Sequence, residues 1–196
     1  MRAVVVYESM FGNTHAIADA IGKGIGQGLE PVDNVVVVSV VEAGRERLGD
    51  ADLLVVGGPT HFRGMSRTRT RRWAASTAQK PKNDLVLDRD AQSPGVRDWL
   101  TSLGHGHTKV AAFDTRFKGP TVLRGRASKI ISRKLQGHGC EMVAKPESFF
   151  VTLQNHLEPD EEARAREWGK RLAARVVSKG VTNADRPGQS PTSKET

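Results

Sequence analysis

The stretch VVYESMFGNTHAIADAI, residues 5–21, changes its pattern of apolar residues midway, and this change decides the fold. Its beginning belongs to the unbroken apolar run AVVVY, residues 3–7, which is typical of a strand buried on both faces of a sheet. Its end repeats apolar residues at helical spacing. Between the two, SMFGNT (residues 9–14) supplies hydroxyls, an amide and one glycine, without lysine or arginine. The sequence therefore predicts a turn from a buried strand into a helix N-terminus, where the helix dipole favours an anion.

The alternation of strand-like and helix-like segments continues along the chain. Further apolar runs of strand length occupy residues 34–40, 51–57, 109–114 and 149–153, and residues 140–143 are a candidate extension of the last. Helical periodicity appears at residues 14–29, 67–78, 123–137 and 160–179, and again directly after Ser93-Pro94. This alternation predicts an α/β fold, a doubly wound parallel sheet of five strands in the order 2-1-3-4-5 with helices on both faces. The ligand site of such a sheet lies at the carboxyl ends of its strands.

The chain of 196 residues is long enough for one domain with a sizeable core. We assign residues 1–180 to that domain. The connection between the third and fourth strands, residues 66–108, is unusually long and holds two helical segments, so we expect an elaborated crossover. Residues 181–196 lack apolar periodicity, which predicts a disordered C-terminal tail.

Composition excludes several classes of site. The single cysteine, Cys140, rules out a disulfide framework and a cysteine-based metal centre within one chain. His105 and His107 have no acidic or cysteine neighbour at ligand spacing, so no metal is expected there. The sequence has no run of 18 apolar residues, so we expect no transmembrane segment and a cytoplasmic protein.

The stretch of residues 5–21 resembles the FMN-binding signature of the flavodoxin family, in which a strand ending in an aromatic residue precedes Ser-x-x-Gly-Asn-Thr and a helix. The resemblance implies a flavodoxin-like fold that extends to about residue 178, with FMN as the cofactor. In that family, hydroxyls and backbone N–H groups of the loop hold the FMN phosphate without a basic side chain. Carried over to this chain, the phosphate-binding candidates are Ser9, Met10, Phe11, Gly12, Asn13 and Thr14.

A second loop, GGPTHFRGMS at residues 57–66, resembles the Gly-x-Pro-Thr loop that follows the third strand in flavodoxins and related quinone reductases. In those proteins it turns the backbone against the ribityl chain and the flavin ring. The resemblance therefore implies that the cofactor-binding residues here are Pro59, Thr60, His61, Phe62 and Gly64. His61 is also the one candidate for a catalytic acid or base, although a histidine at this place can equally pack against the ring or point to solvent.

The loop after the fourth strand departs from the family. Many flavodoxins stack a tyrosine on the flavin there, whereas the only tyrosine of this chain, Tyr7, lies in the first strand. Phe62 or Phe117 is the candidate replacement. The residues of this loop that complete the predicted cofactor site are Asp114, Thr115, Arg116 and Phe117. Because the tyrosine is missing, an interaction module that has lost FMN stays an alternative.

The net charge of +8 bears on the partner. Flavodoxins that shuttle electrons are mostly acidic, whereas here five cations lie on or just after the predicted loops, Arg63, Arg67, Arg116, Lys118 and Arg124. The leading hypothesis is electron transfer through noncovalent FMN to or from an acidic redox protein. The alternative is an NAD(P)H-dependent flavin or quinone oxidoreductase. Nucleic acid is disfavoured because aromatic residues make up only 5% of the chain, and the oligomeric state is left open.

Overall fold

A parallel sheet forms the centre of the computed structural model, which describes residues 1–28, 34–44, 48, 50–61, 64–79, 85–106, 108–120 and 125–184. Its parallel strands are β1 (Ala3–Tyr7), β2 (Val35–Ser39), β3 (Leu53–His61), β5 (Lys109–Phe117), β6 (Glu141–Met142) and β7 (Glu147–Val151). They follow the order β2-β1-β3-β5, and β6 and β7 pair with successive parts of β5. The predicted order is confirmed, with β6 and β7 together in the place of the fifth strand.

Helices cover both faces of this sheet. The helices of the described residues are α1 (Asn13–Gln27), α2 (Thr68–Ala78), α3 (Val96–Ser102), α4 (Ala127–Gly137) and α5 (Glu161–Ala184). Because side chains alternate along a strand, Val5 packs into a core with α1 and α5, whereas Val4 and Val6 pack into a core with α3 and α4. Both faces of β1 are therefore buried, as its unbroken apolar sequence predicts.

Two glycines allow α1 and α5 to touch backbone to backbone. A Cβ atom on Gly24 would lie 2.0 Å from the carbonyl oxygen of Arg166, and one on Gly169 would lie 2.3 Å from that of Ile21. No larger residue fits at either place without moving a helix. Within the glycine-rich run of residues 22–28, Gly24 and Gly28 thus face α5, and Gly22 faces Val37 of β2.

Several boundaries differ from those that the sequence predicts. β3 and β5 continue to His61 and Phe117, past the predicted ends at Gly57 and Asp114, because the two strands keep pairing with each other and β5 also pairs with β7. The predicted loops at these ends are therefore partly strand. A short antiparallel strand, β4 (Gly64–Met65), folds back on the end of β3.

The last helix also extends further than predicted. It runs to Ala184, four residues into the predicted tail of residues 181–196, because the glycine at position 180 weakens a helix without ending it. Residues 185–196 lie outside the described part of the chain, so the division into a domain and a tail stays a prediction. No helix among the described residues is long and apolar enough to cross a membrane.

Candidate functional site

The loop from Ser9 to Gly12 connects the carboxyl end of β1 to the first turn of α1. Gly12 has φ 85°, in the left-handed region that glycine adopts without strain, and a Cβ atom there would meet nothing within 4 Å. The turn is closed by the Gly12 N–H, which donates to Ser9 Oγ at 3.1 Å. Conformation, and not lack of space, therefore requires glycine here.

The first turn of α1 leaves hydrogen-bond donors free. Gly12 occupies the N-cap position and makes no side-chain cap. Within the described parts of the chain, the backbone N–H groups of Asn13, Thr14 and His15 have no acceptor, whereas that of Ala16 donates to Gly12 O at 2.9 Å. Such free N–H groups carry the positive end of the helix dipole and suit an external anion.

A pair of buried hydroxyls lies beside these donors. Thr14 Oγ1 and Thr115 Oγ1 are 2.7 Å apart, which joins the start of α1 to the end of β5. One hydroxyl donates to the other, so the hydrogen of the accepting hydroxyl is left for a third partner. The structure thus brings together two residues that the sequence placed on separate predicted loops.

The side chain of Asn13 has a different partner. Its Nδ2 donates to Asn155 O at 2.8 Å, in the segment after β7. The amide therefore anchors that segment to the start of α1, and the backbone N–H of Asn13 is the group left for an anion.

Thr60 and Asp114 support the start of α4. Thr60 Oγ1 donates to Asp114 Oδ2 at 3.0 Å and accepts the Ala127 N–H at 2.9 Å, while Asp114 Oδ2 also accepts the Ser128 N–H at 2.9 Å. Asp114 is fully buried. Their oxygens satisfy helix-terminal N–H groups, so a direct contact of these side chains with a cofactor stays a prediction.

The remaining candidates of these two loops differ in exposure. Arg116 is buried, and its Nη1 donates to the carbonyl oxygens of Phe117 at 3.2 Å and Gly119 at 3.1 Å. Burial lowers the pKa of Arg116, and its two hydrogen bonds hold this turn together, so this one of the five cations near the predicted loops is buried. Phe117 is exposed at the end of β5. Phe62, Arg63 and Arg124 lie outside the described residues.

The long crossover closes over the first loop. Met10 is buried against Ala74 of α2 and Ala91, and its carbonyl oxygen accepts the Asp88 N–H at 2.9 Å. The ring of His15 stacks on Tyr7 with centroids 4.5 Å apart. The side chain of Met10 therefore packs this loop against the crossover, and a contact of its backbone with a phosphate stays a prediction.

Sequence reasoning missed a buried polar cluster next to this loop. Glu8, the residue after β1, is 5% exposed; it accepts the Ser66 hydroxyl and, at 2.8 Å, the Val96 N–H of α3. Arg71 of α2 is 3% exposed and donates to Ser66 Oγ at 3.0 Å and to Asp98 Oδ2 at 3.1 Å. Burial raises the pKa of Glu8, and Arg71 opposes that shift. An acidic residue at the end of an apolar strand is the signal that could have revealed this cluster.

His61 ends β3, next to this polar cluster. Burial, with a smaller effect of the Arg71 charge, lowers the pKa of His61 to about 4. The imidazole is therefore neutral at pH 7, and it lies on the hairpin of β3 and β4 where its backbone pairs with Gly64.

We expect His61 to lower the free energy of unfolding in mild acid. The folded pKa of His61 lies below the unfolded value of 6.5, so its contribution to stability is complete above pH 6.5. It falls as the pH drops from 6.5 to 4, because in this range the unfolded chain binds the proton more readily than the folded chain. The loss reaches about 3 kcal/mol at pH 4. Urea unfolding between pH 4 and 7 should show this dependence in the wild type and in the exposed control His156→Gln, and a smaller one in His61→Gln. Equal pH dependence in His61→Gln and the wild type would contradict it.

Comparisons with known proteins agree with this architecture. No family model matches the sequence. The chain is 26% identical to a flavodoxin of Clostridium beijerinckii over 170 residues, which cover 86% of this chain and 97% of that protein. Its structure is similar to that of a flavodoxin from the domain Archaea, with a TM-score of 0.60, 21% identity and coverage of 90% of this chain and 99% of the other. It is also similar to a WrbA-like flavodoxin from Agrobacterium tumefaciens, with a TM-score of 0.56, 16% identity and coverage of 90% and 98%. The predicted flavodoxin-like fold is confirmed.

Proposed function

Because this chain is a flavodoxin-like protein by fold and by sequence, we propose that it binds FMN noncovalently and carries electrons to or from a redox partner. The observation that carries the proposal is the donor set at the start of α1. The free N–H groups of residues 13–15 and the hydroxyl pair of Thr14 and Thr115 form a cradle for a phosphate without any basic side chain.

The donor set fits a phosphate ester. A phosphate dianion offers acceptor oxygens and no hydrogens, and the cradle offers N–H and O–H donors at the positive end of a helix dipole. No carboxylate hydrogen-bonds to these donors among the described residues. The site would therefore attract the phosphate of FMN and leave the ring free to lie against the neighbouring strand ends.

The other residues of the site position the ring. The hairpin of β3 and β4 carries Pro59, His61 and Gly64, and the end of β5 carries the exposed Phe117. The start of α4 hydrogen-bonds to both strands, to Thr60 of β3 and to Asp114 of β5. When bound, the flavin supplies the reversible redox chemistry, and this chain supplies orientation and electrostatics.

The net charge of +8 supports an acidic protein as the partner, since opposite charges speed association. The alternative, an NAD(P)H-dependent flavin or quinone oxidoreductase, differs in one assay. A reductase oxidises NADPH with benzoquinone as sole acceptor, whereas a carrier needs a separate reductase. A cytoplasmic location stays part of the proposal.

Removing the hydroxyl pair should weaken FMN binding without unfolding the protein. In Thr14→Val/Thr115→Val, both hydroxyls are replaced by groups of the same shape, so no buried polar group is left without a partner. We expect the Kd for FMN to rise by at least tenfold, because a hydrogen bond to a charged group is worth about 1.5–3 kcal/mol. Fluorescence titration of the apoprotein with FMN measures this change.

The matched control is Thr101→Val/Ser102→Ala, which removes two exposed hydroxyls at the C-terminal end of α3. It should leave the Kd unchanged. If the wild-type protein does not bind added FMN, the proposal that FMN is the cofactor is wrong. If Thr14→Val/Thr115→Val leaves the Kd for FMN unchanged, the two hydroxyls do not contact the phosphate.

A further inference from the structure

Helix α2 presents an exposed face of unusual composition. Arg69, Arg72 and Trp73 lie on one side at helical spacing, all exposed, with Trp73 59% accessible. The opposite side, Arg71, Ala74 and Ala75, is buried. We call the three exposed residues the α2 face.

The charges of the α2 face work against the helix that carries them. The helix has no acidic residue in its first turn, and Arg69 places a positive charge at the positive end of the dipole. Arg69 and Arg72 are three residues apart, so their like charges repel. Among the described residues, neither forms an ion pair with a carboxylate. Folding alone therefore gives no reason for these arginines.

Arg164 and Lys170 of α5 show the contrast. Arg164 pairs with Glu147 at 2.6 Å and with Glu161 at 2.5 Å, and Lys170 pairs with Glu167 at 2.7 Å. These two positive charges of α5 have carboxylate partners within the chain. On α2, Arg71 pairs with Asp98, whereas Arg69 and Arg72 pair with no carboxylate of the described residues.

The α2 face lies close to the proposed cofactor. Ala74, on the inner side of α2, packs against Met10 of the phosphate loop. One helix diameter, about 10 Å, therefore separates the exposed side of α2 from that loop. A protein seated on the α2 face would be within reach of electron exchange with the bound flavin.

We propose that Arg69, Arg72 and Trp73 form the docking surface for a carboxylate-rich redox protein, an inference that rests on the proposed function and names the partner class. Arginine and tryptophan are the residues that dominate protein interfaces, and the arginine fork matches a carboxylate. A nucleic acid is the less favoured partner, because Trp73 is the one aromatic ring on the described residues of this face and successive bases need several.

The test uses the full chain, with and without FMN, and an acidic plant-type [2Fe–2S] ferredoxin as the probe. Biolayer interferometry should show that Arg69→Glu/Arg72→Glu weakens binding at least tenfold, and that Trp73→Ser weakens it at least threefold at unchanged charge. Arg69→Glu places a negative charge in the first turn, where it complements the helix dipole, and Arg72 is exposed, so the double variant is expected to stay folded.

The control is Arg133→Glu/Arg171→Glu, with the same change of net charge at exposed positions of α4 and α5. It should weaken binding less than threefold. Equal loss in both double variants, no binding of the ferredoxin by the wild type, or tighter binding of a duplex DNA than of the ferredoxin would each overturn the proposal. Because docking is also measured without FMN, a failure of docking is separable from a failure to bind the cofactor.

Discussion

Replacing Arg71 with methionine is expected to lower the free energy of unfolding by about 3 kcal/mol or more, since removing one member of a buried charge cluster leaves the other without compensation. Arg71 donates to Ser66 Oγ, whose hydroxyl donates to the buried carboxylate of Glu8, and it also pairs with Asp98 at 3.1 Å. Without the guanidinium, the Glu8 carboxylate keeps a hydroxyl and one N–H group as donors.

The pH dependence identifies the cause of this loss. The pKa of Glu8 is higher in the folded protein than in the unfolded chain. The unfolded chain therefore loses this proton more readily, and the protein becomes less stable as the pH rises above the pKa of Glu8 in the unfolded chain. Removing Arg71 raises the pKa in the folded protein further, and the gap between variant and wild type should be larger at pH 8 than at pH 5. Urea unfolding followed by circular dichroism at both pH values measures the gap.

Two variants serve as controls for Arg71. Arg72→Met, on the exposed side of the same helix, should change stability by less than about 0.5 kcal/mol. Glu8→Gln combined with Arg71→Met should recover part of the loss, because the carboxamide carries no charge. If the double variant is no more stable than Arg71→Met alone, the loss does not come from Glu8.

Replacing Gly24 with alanine should destabilise the protein by about 2–3 kcal/mol, even though alanine favours a helix by about 1 kcal/mol over glycine. The added Cβ would lie 2.0 Å from Arg166 O, a backbone atom of α5 that cannot swing aside. The two helices must therefore separate, which loosens the core around Ile21, Ile25 and Leu172.

Gly137→Ala is the matched control for that substitution. A Cβ atom at Gly137, at the end of α4, meets nothing within 4 Å. Thermal unfolding should show a lower Tm for Gly24→Ala and an unchanged or slightly higher Tm for Gly137→Ala. A Tm of Gly24→Ala equal to that of the wild type would show that the helices tolerate the separation.

Local pattern was enough to predict the sheet and the first loop. The apolar run of β1, the hydroxyl-rich turn and the helical spacing after Thr14 are properties of adjacent residues, and each was read correctly. The ends of β3 and β5 were misplaced because Pro59 and Thr115 owe their strand conformation to each other, across a pairing that no local pattern contains.

The candidate site was predicted by resemblance more than by chemistry. The sequence predicts that Thr14, Thr60 and Asp114 lie beside a ligand, but not that Thr14 hydrogen-bonds to Thr115 or that Asp114 holds the start of α4. The buried cluster around Glu8 was not predicted because Val96, whose N–H donates to Glu8, lies 88 residues away along the chain. These are contacts between distant segments, which become visible once the topology is known.

The break between β6 and β7 also makes this edge of the sheet less able to pair with a second copy of the chain. An open sheet edge exposes unpaired N–H and C=O groups, and a second copy can add a strand there and start an aggregate. Here the edge beside β5 is divided into segments of two and five residues, with the exposed Lys145 and the adjacent Pro146 between them. The proline lacks an N–H to donate, and the lysine adds repulsion between copies, so this edge is a poor template for pairing with a second copy of the chain.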